Sequence, residues 1–421
     1  MLFRNAFRPF FLGAGLWAII TLSVRIAELS GYGISGLAFG DLNRWHAHEL
    51  LFGYGSAVVA GFALTAIPNW TGRLPVAGPA LAVLFGLWIA GRVAALLPQL
   101  PPAAHFAVDV AFLPALAGLA AREIAVAKNY RNIPVAGLIA LLALANAAFH
   151  LEELEVLAAG QFGARLGLGA LVLLMGLIGG RLVPSFTNNW LARERRARAA
   201  ITHRLIEQLA HGTSGAALLL WAFLPFEPAT GIALAAAAIV QIVRLAGWRG
   251  WLTTREPLVL VLHVGYAWIP SGLALLGAAI VWDPSLISAG IHALTVGAVG
   301  TMTLAVMTRA TLGHTGRALH AESGTVAIYA AITASALVRV SAVLLPDSGG
   351  VLLPLAGALW LFAFGLCHLR ADAPEPARGR NGMTATQPRG RLRVRRRLRG
   401  ISDGHGTRRR IAFGASHSRE G

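Results

Sequence analysis

Charge is what this chain most lacks. Only 13% of its 421 residues are Asp, Glu, Lys or Arg, against about 25% in an ordinary soluble domain. With 56% hydrophobic residues and a mean hydropathy of +0.63, the chain reads as an integral membrane protein. Cysteine is nearly absent too. Cys367 stands alone, which excludes an internal disulfide, a thiolate zinc site and a protein-held iron–sulfur cluster. There is no Walker P-loop, H-E-x-x-H, C-x-x-C-H or G-x-S-x-G pattern, so any haem is held non-covalently. No A-x-A-like cleavage site follows the first apolar run, and that run is read as the first span.

Long apolar runs are abundant. Twelve candidate spans cover roughly 10–29, 48–67, 79–97, 103–121, 134–151, 166–183, 206–224, 229–246, 257–279, 288–307, 325–344 and 351–369, each close to the length that crosses a bilayer. The predicted fold class is an all-α polytopic bundle of about twelve transmembrane helices. No convincing internal repeat is evident. Basic residues cluster in alternate loops, from Arg4 and Arg8 through Arg73, Arg122, Lys128 and Arg131 to Arg309 and Arg317, while the intervening loops are neutral or acidic. That alternation predicts cytoplasmic termini. The net charge of +17 lies in these loops and in a basic stretch from 371 to 421. It therefore argues against a nucleic-acid partner. The expected division is a membrane domain over 1–370 and a disordered tail over 371–421.

Trp45-His46-Ala47-His48-Glu49 leads directly into the second span. Ionisable groups are costly in hydrocarbon and mark sites when present, and imidazole suits iron, copper and zinc. By the loop-charge orientation His46, His48, His105, His150 and His292 approach one membrane face from four spans, with Asp109 one turn beyond His105. Residues two apart on a helix point about 160° away from each other. His46 and His48 therefore serve two centres, unless the backbone there is irregular. Glu49, near the face of His46, is expected to orient an imidazole. Arg25, Arg92 and Arg339 lie at the same depth. Their partners are either cofactor carboxylates such as haem propionates or simply Glu28, Glu49 and Asp109.

A looser set approaches the other face: His211, His263 with Tyr266 one turn on, His314, His368, Arg181 and Arg309. His263 is the deepest of these and a further candidate ligand, with Tyr266 as its support. Met302 and Met307 in the tenth span are commoner as packing than as ligands, and the nearby glycines permit close helix contact. Pro68-Asn69-Trp70-Thr71 and Pro184 to Asn189 read as helix stops.

The stretches FRPFFL, WHAHELLFG at 45–53, GFALTAIPNWTGR at 61–73, GGRLVPSFTNN at 179–189, REPLVLVLHVGYAWIP at 255–270 and HALTVGAVGTMTLAVMTRATLGHTGR at 292–317 together resemble the NnrS family of bacterial membrane proteins. The resemblance implies a twelve-helix inner-membrane protein holding haem, of the b type, and copper. It also implies a link to nitric oxide metabolism and resistance to nitrosative stress, with an electron donor as a further partner. His46, His48, Glu49, Arg181, His263, Tyr266, His292, Arg309 and His314 fall inside these motifs, whereas His105 and His150 do not. The adjacent His-His pair of the respiratory haem–copper oxidases is missing. Two other classes remain open: a secondary transporter using the intramembrane His, Glu and Arg residues, and a haem-based sensor without turnover.

Overall fold

The computed structural model describes residues 2–32, 37, 39–157 and 160–371. Apart from Ala371, the expected tail lies outside the described residues. All the regular structure among the described residues is helical, as hydrocarbon demands of any segment that must satisfy its own backbone. Twelve helical bodies follow one another: α1 Phe7–Leu29, α2 Leu42–Thr71, α3 Pro79–Ala95, α4 Pro102–Val126, α5 Tyr130–Glu153, α6 Phe162–Arg193, α7 Arg204–Phe223, α8 Pro228–Gly247, α9 Pro257–Val281, α10 Pro284–His314, α11 Ser323–Leu344 and α12 Pro346–Arg370. Ten of them are long and apolar enough to cross a membrane. The other two are α3, which has 17 residues, and α7, which carries Arg204, Glu207 and His211.

Local chemistry sets the helix ends. Asp41 accepts from the Asn43 backbone N–H at 3.0 Å and caps α2, satisfying a donor that the first turn leaves free. Proline opens α3, α4, α8 and α9, where its missing N–H costs nothing. The expected stop over Pro68-Asn69-Trp70-Thr71 coincides with a helix end, while the one over Pro184 to Asn189 is corrected. α2 runs on through Pro68 to Thr71 and ends at left-handed Gly72, and α6 continues from Pro184 to Arg193. Neighbouring helices hold such a proline in place where an isolated helix would break.

α2, α6 and α10 form the interior, with 72%, 67% and 67% of their apolar windows buried. α6 packs against both α2 and α10, and α1 closes the bundle against α12. Between the three inner helices lies a small apolar cavity of about 80 Å³, lined by Gly55, Leu171, Gly179, Val299 and Met302 among others. A polar network ties α6 to α9. Arg244 donates to Glu207 Oε1 and the Gly176 carbonyl, both at 3.0 Å, and to the Tyr266 hydroxyl at 2.5 Å. Tyr266 in turn donates to Gln241 at 2.8 Å.

α8 and α9 meet through facing glycines. A Cβ on Gly277 would lie 2.7 Å from the Gly231 carbonyl oxygen, and one on Gly231 would lie 2.9 Å from that of Gly277. Small residues allow such backbone approach in membranes. Gly277→Ala is expected to destabilise the protein by about 1–3 kcal/mol, read as a lowered thermal midpoint in detergent. An unchanged midpoint contradicts the close packing.

Candidate functional site

Three helices carry the site. On α4, His105 and Asp109 lie four residues apart; on α5, Asn146 and His150 do the same. Each pair therefore shares a helix face. α2 brings His48 to meet them. One ligand atom each from His48, Asp109 and His150 falls within 4.8 Å of the others, and all three residues are buried. Asp109 Oδ2 lies 3.0 Å from His150 Nε2 and 3.2 Å from His48 Nε2, and it accepts from the Asn146 amide at 2.9 Å. His105 joins them, its ring centroid 4.9 Å from that of His150 and 6.2 Å from that of His48. Among the described residues its buried Nε2 has no hydrogen-bond partner. Phe39 packs against all three imidazoles, with centroids 4.5, 4.9 and 5.3 Å away.

The electrostatics are equally specific. His48 Nδ1 sits 2.7 Å from Glu49 Oε1, and its Nε2 sits 2.9 Å from Asn146 Oδ1. Both ring nitrogens face acceptors, so each position calls for a proton or a metal ion. Arg92 bridges Glu49 and Asp109, and the Trp17 indole donates to Glu49 Oε2 at 2.7 Å. Two carboxylates against one guanidinium leave a negative charge, which a cation at the imidazoles offsets. The donor set of imidazole nitrogens and a carboxylate oxygen suits zinc, copper or iron, and the orphaned His105 nitrogen supports a missing ligand partner.

His46 points elsewhere. It lies in electrostatic range of Arg25, Arg339 and His292, on the opposite side of α2 from the Asp109 cluster. Its ring meets the Thr21 backbone, and its buried Nδ1 has no hydrogen-bond partner of good geometry among the described residues. His292 Nδ1 lies 2.7 Å from the Ser288 carbonyl and donates to it, which leaves the Nε2 lone pair facing outward as metal-ligating histidines do. Arg25 pairs with Glu28, and Arg339 donates to the Ser288 hydroxyl at 3.2 Å. His46, His292 and Arg339, which has no carboxylate partner among the described residues, thus share one neighbourhood.

The sequence expectations sort as follows. His48, His105, His150 and Asp109 are brought together, and His46, His292, Arg25 and Arg339 form a separate neighbourhood. Glu49 orients His48, its chain neighbour, and not His46 as expected. The reason is that α2 widens into π-helix from Glu49 to Gly55, so regular helical angles cease at that residue. Arg92 is engaged by protein carboxylates, the simpler of the two alternatives for it.

The set nearer the other face is dispersed. His263 Nε2 lies 2.9 Å from Thr187 Oγ1, Tyr266 belongs to the Arg244 network, and His211 Nδ1 meets the Glu207 carbonyl at 2.5 Å. Arg181 donates to Asn132 at 2.7 Å, Arg309 lies over Phe186, and His314 stacks on Phe7 at 5.1 Å. His368 lines a separate cavity with Met307 and Cys367. Sequence reasoning passed over Asn146, Trp17 and Arg244. Asn146 carried a usable signal, an amide one turn before His150 in an otherwise apolar span.

The family model described as NnrS protein matches residues 1–371. The chain belongs to the NnrS family. The match covers every helix and both histidine neighbourhoods of this NnrS protein. No curated protein matches the chain.

Removing Arg92 leaves Glu49 and Asp109 buried without their countercharge. Arg92→Met is expected to cost about 3–5 kcal/mol, and adding Glu49→Gln should recover part of that loss. Thermal unfolding of the two variants checks this. Strict additivity of the two substitutions contradicts the shared ion pair.

Proposed function

We propose that this protein binds haem and copper in the bacterial inner membrane and acts in nitric oxide metabolism or in protection against nitrosative stress. One observation carries the reading: a chain matched along its membrane region by the NnrS model buries a His48–Asp109–His150 set of ligand geometry. In this reading twelve helices span the membrane, the basic loops and both termini face the cytoplasm, and the two histidine neighbourhoods lie toward the outer face.

Copper is assigned to the Nε2 atoms of His48 and His150, Asp109 Oδ2 and the unpartnered Nε2 of His105. Glu49 fixes the His48 ring through Nδ1, which sets which nitrogen is offered to the ion. Phe39, Phe52 and Phe149 surround that ring and keep water from it. A b-type haem is assigned to His46 and His292, with Arg25 and Arg339 as partners of its acid groups. Bound there, the haem supplies an iron able to bind nitric oxide and exchange electrons. His263 stays a candidate ligand through its buried, unpartnered Nδ1.

Purified protein tests the proposal through its optical spectrum and metal content. The expected result is a Soret band with stoichiometric iron and copper. His46→Ala or His292→Ala should abolish the band and leave copper in place. His48→Ala or His150→Ala should weaken copper binding by at least about tenfold. An unchanged spectrum in both His46→Ala and His292→Ala contradicts the haem assignment. A protein with neither metal favours the secondary-transporter reading.

A further inference from the structure

α2 and α10 share a layout that apolar periodicity hides. Each passes a histidine, His48 or His292, and immediately widens into π-helix, over Glu49–Gly55 and Ala293–Gly300. Such helix holds well under 1% of residues in proteins, so two runs, each directly behind a histidine, define a register. In that register Gly53 matches Gly297, and Thr71-Gly72-Arg73 matches Thr315-Gly316-Arg317.

The correspondence extends to geometry. Gly72 and Gly316 have φ of 70° and 72°, the left-handed region that glycine adopts freely. Each matched π-segment glycine is pressed by a tryptophan of the preceding helix. A Cβ on Gly53 would meet the Arg92 guanidinium first and then the Trp17 indole nitrogen on α1 at 2.8 Å, and one on Gly297 would lie 2.5 Å from the Trp268 ring on α9. The following helices agree as well. Arg92-Val93-Ala94-Ala95-Leu96-Leu97-Pro98 after α2 parallels Arg339-Val340-Ser341-Ala342-Val343-Leu344-Leu345-Pro346 after α10, the second run one residue longer.

The carboxylates are not repeated. Glu49 is matched by Ala293, α10 and α11 contain no Asp or Glu, and α12 has only Asp347 in its opening turn. Arg92 therefore has two carboxylate partners, while Arg339, among the described residues, has the Ser288 hydroxyl and lies within electrostatic range of Arg25. The Glu28 carboxylate is already paired with Arg25. A guanidinium at membrane depth without a countercharge is costly, and the buried His46 Nδ1 opens on the same neighbourhood.

We propose that α1–α3 and α9–α11 are two copies of one unit, and that the second copy binds an external acidic oxygen group on Arg339, where Arg92 of the first copy uses its own Glu49 and Asp109 of the following helix α4. The group is a carboxylate or small oxyanion, from a bound cofactor or free in solution. The anion site stands on geometry alone, and a cofactor source would tie it to the haem assignment above.

The test supplies the missing carboxylate from within. Ser288→Asp places one beside Arg339 Nη2, and Ser288→Asn is its neutral counterpart of similar size. Full-length protein in detergent is titrated with sodium nitrite and with sodium formate against thermal unfolding, and haem per chain is measured alongside. For a free oxyanion, both salts raise the midpoint of the wild type and of Ser288→Asn. Their affinity then falls about tenfold or more in Ser288→Asp and Arg339→Gln. For a cofactor acid group, haem content falls in those two variants and not in Ser288→Asn. Should Ser288→Asp fail to fold, Arg339→Gln carries the comparison. Wild-type anion affinity together with wild-type haem content in the folded variants overturns the proposal. Anion binding by a protein without haem upholds this site and contradicts only the haem assignment.

Discussion

The buried guanidinium of Arg92, shared between Glu49 and Asp109, organises the best-defined site in this bundle. A membrane interior tolerates such charges only when they neutralise one another and their remaining hydrogen-bonding groups are met. Arg92 joins α3 to α2 and α4, and Asp109 passes the link on to Asn146 and His150 of α5. Four helices are thereby fixed around one carboxylate. The imidazoles that approach it are not free to choose other faces, because Asp109 Oδ2 is the common point toward which His48, His150 and Asn146 all turn. Breaking this centre would therefore disturb helix packing and ligand geometry together.

A second constraint comes from α2 itself. His46 and His48 stand on a regular helical turn, so their side chains leave the helix on opposite sides. One side faces α4 and α5, the other α10 and α11. The helix thereby separates two neighbourhoods of different character. The first carries carboxylates and suits a cation. The second carries arginines with too few carboxylates and suits an acid group. The π-helical run behind His48 then returns Glu49 to the first side, where it steadies the His48 ring.

Much of this was legible in the sequence. Scarce charge and long apolar runs predict a helical membrane bundle, and a 100° turn per residue separates His46 from His48. The grouping of His48, His105, His150 and His292 near one face was half legible, since loop charge assigns a depth but not an azimuth. Depth alone cannot tell that His292 sits with His46 and apart from His48. Three features lay beyond residue patterns. The π-helical segments redirect Glu49, and no propensity marks where a helix widens. Pro184 reads as a stop because the packing that carries α6 past it to Arg193 is tertiary. Arg244 carried no signal in the sequence, because its partners Glu207, Gly176 and Tyr266 come from three separate stretches of chain.

The copper ion proposed above belongs on the α4–α5 side of α2, held by His48, His150 and Asp109 with His105, apart from the haem proposed at His46. Anomalous diffraction from crystals of the copper-loaded protein, collected on either side of the copper absorption edge, tests it directly. The account predicts an edge-dependent peak between His48 Nε2, His150 Nε2 and Asp109 Oδ2. Copper density beside His46 and His292, with none at Asp109, would contradict it.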